Sequence, residues 1–302
     1  MLYPLLHGIT FAASLASTHT MEQSKDNKFI PMTSVNSGSG KEVAPDVYYY
    51  TNQIVNLVFI GNAGTEGWVL VDAGMPKSGK EIVEAAQKRF GLIPPAAIVL
   101  THGHFDHVGS LVHLLEVWPG VQVYAHLLEH PFLNGSQAYP EPDPTAEGGM
   151  LGKIASYYPN EPINVTEALQ ALPTDGSLPF LPDWKCVHVP GHSPGQVALF
   201  REKDRMLISA DAFVTVRQDS MYKVLLQQKE VNGPPRYFTT NWTKAYESVR
   251  KLQALSPNHV IPGHGSAMHG DELVHGLENL LTNWNDLALP SHGKYVKPGD
   301  KR

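Results

Sequence analysis

The chain has 302 residues, 42% of them hydrophobic, enough for a sizeable core in one large domain or two small ones. Its 23 basic and 29 acidic residues leave a formal net charge of -6, and that balance offers no basic footprint for nucleic acid. The single cysteine, Cys186, excludes an intrachain disulfide and is compatible with a reducing compartment, and no apolar run approaches the length of a membrane span.

Residues 1–16 are fairly apolar, and Ser14-Leu15-Ala16 faintly resembles a signal cleavage site. No basic stretch precedes it, and Pro4 and His7 interrupt the apolar part. A cytoplasmic protein is the expectation, with export as the alternative if residues 1–16 serve as a signal peptide. Met21 opens a polar stretch and competes with Met1 as the start. Residues 1–40 read as a flexible leader, residues 41–290 as a single domain and residues 291–302 as a C-terminal tail.

From residue 47 to 71 the pattern is β. Val47-Tyr48-Tyr49-Tyr50, residues 54–60 and Trp68-Val69-Leu70-Val71 are β-branched and aromatic runs, and Gly61-Asn62-Ala63-Gly64 divides the last two. The third run stops at Asp72, a carboxylate at a strand end, for which a plain turn or helix cap is the competing explanation. Residues 76–90 form an amphipathic helix with Ile82, Val83, Ala86 and Phe90 on its apolar stripe and Gly91 as its stop.

Ala96-Ala97-Ile98-Val99-Leu100 reads as a buried parallel strand, and Val108, Leu111, Leu114 and Leu115 give residues 108–118 a helical stripe. Between them stands Thr101-His102-Gly103-His104-Phe105-Asp106-His107. Histidines and an aspartate thus occupy the turn from a strand's carboxyl end to a helix's amino end, where open α/β sheets bind ligands. Imidazoles mixed with carboxylate suit zinc and other borderline metals.

A strand at 121–125 and a short helix from about Leu127 follow. Residues 134–182 are punctuated by Pro140, Pro142, Pro144, Pro159, Pro162, Pro173, Pro179 and Pro182, while Tyr139, Met150, Leu151, Tyr157 and Tyr158 give them apolar weight. A segment this long reads as an insertion covering a site, with a structural excursion or a subunit contact as the alternative. Residues 184–189 are a strand that ends at Pro190-Gly191-His192 and holds Cys186 as buried packing. Residues 196–200 are the next strand, and Met206-Leu207-Ile208-Ser209-Ala210 a third, stopping at Asp211. Residues 212–238 carry few signals. Residues 241–255 form an amphipathic helix, His259-Val260-Ile261 a last strand before Pro262-Gly263-His264-Gly265, and residues 271–287 a closing helix.

Asp72, the 102–107 turn, His192, Asp211 and His264 share one setting, since each follows an apolar β run. Together they supply what two metals need: several imidazoles, a terminal carboxylate and a carboxylate able to bridge. With this set the chain resembles the metallo-β-lactamase-fold metallohydrolase superfamily, in its lactonase and glyoxalase II-like branch, over roughly residues 45–290. The resemblance implies an α/β (α+β) fold, a four-layer αββα sandwich with metals at one edge between two sheets. Carried over by position, it implies that His102, His104 and His192 bind a first metal and that Asp106, His107 and His264 bind a second. Asp211 would bridge the two, and Asp72 would orient ligand histidines. Two divalent cations are expected, zinc first, with manganese, iron or cobalt as alternatives. A hydroxide held between them is then the nucleophile for a carbonyl, with Asp106 as its hydrogen-bond partner and proton carrier.

The acidic balance argues against RNA-processing members of that superfamily. His104 stands where flavodiiron oxygen reductases typically carry glutamate. The acyl-homoserine lactonase subgroup is similar in length and motif layout but has a tyrosine shortly after its bridging aspartate. Here Asp211 is followed by Ala212, Phe213 and Val214, and Tyr222 is the nearest candidate. The expected function is a dinuclear hydrolase of a small ester or lactone, with a pocket built from residues 134–165 and 213–222 and with Phe105, Phe213, Met221 and Tyr222 as wall residues. A β-lactam hydrolase and a mononuclear iron persulfide dioxygenase are the alternatives. The expected partner is a small-molecule substrate, with no nucleic acid and no membrane, and a homodimer is left open.

Overall fold

Residues 21–22, 33–146, 158–216 and 229–302 are described by the computed structural model. A first sheet runs in chain order through β1 (Gly40–Ala44), β2 (Val47–Asn52), β3 (Val55–Ile60), β4 (Val69–Val71), β5 (Ala97–Val99), β6 (Gln122–Ala125) and β7 (Leu169–Ala171). From β1 to β4 the neighbours are antiparallel, and from β4 to β7 they are parallel. Parallel pairs need crossovers. Helix α1 (Gly79–Phe90) supplies one, and α2 (Phe105–Val108) with α3 (Leu111–Val117) supplies the next. A short helix, α4 (His130–Leu133), follows β6.

The second sheet contains β8 (Trp184–His188), β9 (Val197–Arg201) and β10 (Met206–Ala210). Strands β11 (Val214–Val216) and β12 (Lys229–Asn232) pair separately. Strands β13 (His259–Pro262) and β14 (Met268–His269) complete the second sheet in the spatial order β14-β13-β10-β9-β8. Helix α5 (Trp242–Ala254) precedes β13, and α6 (Gly270–Thr282) and α7 (Trp284–Leu287) follow β14.

Successive strand residues point to opposite faces, and both faces of both sheets are covered. Leu57 and Phe59 pack with Ile82, Phe90, Leu111 and Leu114 of the helices outside the first sheet. Their neighbours Val58 and Ile60 meet Leu199, Met206, Ile208 and Ile261 of the second sheet. Leu207 and Val260 face the other way, toward Trp242, Leu252, Leu273 and Leu277. The result is helix, sheet, sheet, helix. Trp68 stacks on Phe90 with ring centroids 4.3 Å apart, anchoring α1 to the first sheet.

Several expectations are corrected. The helix expected over 108–118 is two, because Gly109 and Ser110 break it. Ser110 Oγ donates to the Met75 carbonyl (2.6 Å), tying the break to the loop after Asp72. Residues 271–287 likewise divide at Asn283. The later part of the 134–182 segment belongs to the body of the fold. It supplies Ile163 and Val165 to one core, β7 to the first sheet, and Leu172, Leu178 and Leu181 to the space between the sheets. Met150, Leu151 and Tyr157 lie outside the described residues.

The leader is not wholly detached, since Glu22 and Asn164 exchange backbone hydrogen bonds at 3.0 and 2.8 Å and Met21 packs on the first core. Residues 291–302 are not a free tail. Asp300 is buried and accepts from Thr243 Oγ1 at 2.8 Å, and the Tyr295 hydroxyl donates to the Glu141 carbonyl at 2.8 Å. Cys186 is partly buried, which pushes its thiol up to about 12, the behaviour of a packing residue. No helix among the described residues is long and apolar enough to cross a membrane.

Candidate metal centre

Each expected site residue stands just beyond the carboxyl end of a strand or on the short helix that follows one. Asp72 follows β4, His102 and His104 follow β5, His192 follows β8, Asp211 follows β10 and His264 follows β13, while Asp106 and His107 lie on α2. The two sheets open toward the same edge, so the loops converge. All seven expected metal ligands are buried, none more than 6% exposed. Their ligand atoms form three groups, His102/His104/His192, His102/His107/Asp211 and Asp106/His107/His264, each within 4.8 Å.

Asp211 sits where these groups meet. Its Oδ2 lies 3.6 Å from His107 Nε2, 3.4 Å from His192 Nε2 and 3.3 Å from His264 Nε2. Asp106 Oδ2 lies 3.2 Å from His264 Nε2. The backbone is forced to deliver this geometry. Ala210, just before Asp211, has φ 49, and Asp72 has φ 63, left-handed conformations that cost a non-glycine residue about 1–3 kcal/mol. Gly263 is required by close approach, because a Cβ there would run into Asp211 Oδ1.

The outer nitrogen of several rings is held from behind, which aims the inner nitrogen at the centre. Asp72 accepts from Thr101 N at 2.7 Å, from Thr101 Oγ1 at 2.8 Å and from His107 Nδ1 at 2.8 Å. His264 Nδ1 donates to the Ile54 carbonyl at 3.0 Å, and His192 Nδ1 meets Thr239 Oγ1 at 3.2 Å. In contrast, His102 Nε2, His107 Nε2 and Asp211 Oδ1 are buried without any hydrogen-bond partner. Orphaned polar atoms at this depth are costly. Imidazole and carboxylate donors aimed into one space fit divalent cations.

The electrostatics divide the histidines in two. Burial pushes His102 and His104 well below the usual imidazole value and His192 down to about 4, so these three are neutral, the ligating form. Burial also penalises charge on His107, but Asp72, Asp106 and Asp211 outweigh it and hold that ring well above the usual value. Burial opposes charge on His264 as well, and Asp211 and Asp106 raise it to about 10. Asp211 is held well below the carboxylate range because His264 and His107 overcome its burial. Cations entering here would exchange with protons on His107 and His264.

A family model described as the metallo-beta-lactamase superfamily matches residues 50–264. The chain belongs to the metallo-beta-lactamase superfamily. It is similar to the probable metallo-hydrolase YflN of Bacillus subtilis (strain 168), at 43% identity over 261 residues, covering 86% of this chain and 98% of that protein. Among solved structures it is similar to the B3 metallo-beta-lactamase BLEG-1, with TM-score 0.51 and 26% identity over 76% of this chain and 95% of that one. A beta-lactamase domain protein from Burkholderia ambifaria shares the fold, with TM-score 0.58 and 20% identity over 88% of this chain and 80% of that one.

Within this superfamily fold an aromatic wall flanks the histidines. Phe105 stacks on Tyr158 at 5.4 Å, and Phe238 lies 4.9 Å from the His104 ring and 5.7 Å from Tyr158. Tyr139 lies 4.4 Å from His104 on another side. Phe105, expected as a wall residue, lies beside Tyr158 and Phe238. Phe213, expected there too, is not on the wall. It is 0% exposed inside the core outside the second sheet, near Trp242, because the turn after Asp211 sends it away from the centre. Met221 and Tyr222 lie outside the described residues. Sequence reasoning missed Thr239, Tyr237 and Phe238, which come from a stretch with weak signals. It also missed Glu129, although that residue follows the apolar strand β6 just as the expected ligands follow theirs.

Proposed function

We propose that the chain is a dinuclear metal-dependent hydrolase that opens the carbonyl–oxygen bond of a small ester or lactone. The observation that carries this reading is Asp211, one carboxylate oxygen within 3.6 Å of His107, His192 and His264. The likeness to the probable metallo-hydrolase YflN supports it. His102, His104 and His192 would hold one cation and Asp106, His107 and His264 the other, with Asp211 shared. The imidazole-rich set suits zinc, with manganese, iron and cobalt as alternatives. When bound, such a pair lowers the pKa of a coordinated water and polarises a carbonyl.

The protein's own groups do the rest. Asp106, ionised beside His264, can take a proton at Oδ2 and return it to a leaving group. Phe105, Tyr158 and Phe238 form an apolar surface that excludes water and accepts the acyl or ring portion of a substrate. Burial and then the charge of Asp106 hold the Tyr158 hydroxyl protonated, which makes it a donor. A small, largely apolar substrate follows from that wall.

The test is a hydrolysis screen of metal-loaded protein over lactones, aryl esters, thioesters and β-lactams. Turnover of lactones or aryl esters that stops on chelation is expected. β-Lactam hydrolysis is the second reading, favoured by the likeness to BLEG-1. Turnover of β-lactams alone would replace the first reading with the second.

A further inference from the structure

Glu129 is 1% exposed, just beyond β6, and belongs to none of the three metal-ligand groups. A carboxylate at that depth must be paired or fully hydrogen-bonded. Its Oε2 accepts from the Gly103 backbone N–H at 3.0 Å and from the Tyr139 hydroxyl. Its Oε1 accepts from the Ser193 hydroxyl at 2.9 Å and from the Gly195 backbone N–H at 2.6 Å. The fit is close, since a Cβ on Gly195 would come within 2.8 Å of Glu129 Cγ.

The partners are specific to one half of the centre. Gly103 stands between His102 and His104, and Ser193 follows His192. One side chain thus clasps both loops that carry the three-histidine group. The other half is held elsewhere, His107 by Asp72 and His264 by the Ile54 carbonyl. Tyr139, which shares Oε2, also bonds Gly103 N at 2.8 Å and lies against His104.

We propose that Glu129 is a positioning residue for the three-histidine metal group, setting the separation of the 102–104 loop from the His192 loop, and that Tyr139 locks the segment after α4 onto the same clasp. This rests on the dinuclear reading above. The chemistry requires a carboxylate. Each oxygen takes two donors, so an amide would turn its NH2 against two of them, and aspartate is one methylene too short.

The test is Glu129→Gln, stripped with a chelator and titrated with Zn2+ against a chromophoric competitor. One of the two cations is expected to bind about 10- to 100-fold more weakly while the other is unchanged. In a His264→Ala background, where the three-histidine group remains, the loss persists. In a His192→Ala background it vanishes. Equal weakening of both cations, or of neither, overturns the proposal. A parent chain that takes fewer than two cations defeats the dinuclear reading instead, so the two failures are distinguishable. Should Glu129→Gln fail to fold by far-UV circular dichroism, Ser193→Ala removes a single bond. A loss confined to the three-histidine site then supports the proposal, and unchanged affinities overturn it.

Discussion

Asp72 Oδ2 accepts the Nδ1 proton of His107 at 2.8 Å, across 35 positions of sequence. That bond fixes the ring's tautomer and turns Nε2 toward Asp211. Asp72→Ala removes it and also strips Thr101 of two bonds. The cation held by Asp106, His107 and His264 is then expected to bind about 10- to 100-fold more weakly. Competition titration with Zn2+ measures this, and full affinity in the variant would refute the orienting role.

Asp211 and Asp106 should separate in their effects. Asp211→Ala removes the shared carboxylate, so bound metal and activity are lost together, as elemental analysis and turnover will show. Asp106→Asn keeps the shape but removes the proton carrier. Its kcat is expected to fall about a hundred- to ten-thousandfold with a much smaller change in KM. An Asp106→Asn enzyme with parental kcat would take that residue out of the mechanism.

Two phenylalanines that look alike in sequence should respond differently. Phe213 is fully enclosed, so Phe213→Ala is expected to cost about 3–5 kcal/mol in urea unfolding. Phe105 lies on the wall beside Tyr158. Phe105→Ala is expected to raise KM about tenfold, the equivalent of ~1.5 kcal/mol of apolar burial, with little change in stability. The reverse pattern would restore Phe213 to the pocket.

The chelated protein should be most stable near the ordinary imidazole value of 6.5. His192 falls to about 4 on folding, so the unfolded chain binds the extra proton and stability declines as pH drops from 6.5 toward 4. His264 rises to about 10, so its contribution is complete below 6.5 and is lost as pH climbs through 10. Tm measured across that range should therefore peak near the middle. Zinc should flatten the alkaline limb, because the cation takes the place of the His264 proton. A chelated protein whose Tm rises steadily from pH 6.5 to 9 would contradict this.

The expected ligands were legible because their signal is local. A polar residue directly after an apolar strand is conspicuous, and Asp72, the 102–107 turn, His192, Asp211 and His264 all have it. Two-sided burial was legible for a related reason. Ala96-Ala97-Ile98-Val99-Leu100 is apolar at every position, as a strand covered on both faces requires, whereas the four-layer order was carried only by the family resemblance. Glu129 shows the limit. Its strand-end placement could be read, but its bonds reach 26, 64 and 66 positions away, and no local pattern reports them.

The sequence by itself determined which residue types stand at the strand ends and which family they resemble, because strand and helix periods are short-range properties of the chain. Only the tertiary structure decided which of them meet. Phe105 turns to the wall and Phe213 to the core, β7 and the C-terminal residues dock rather than hang free, and Glu129 joins two loops. Those outcomes depend on how two twisted sheets pack and where each crossover returns, and the energies that choose among them come from contacts between residues far apart in sequence.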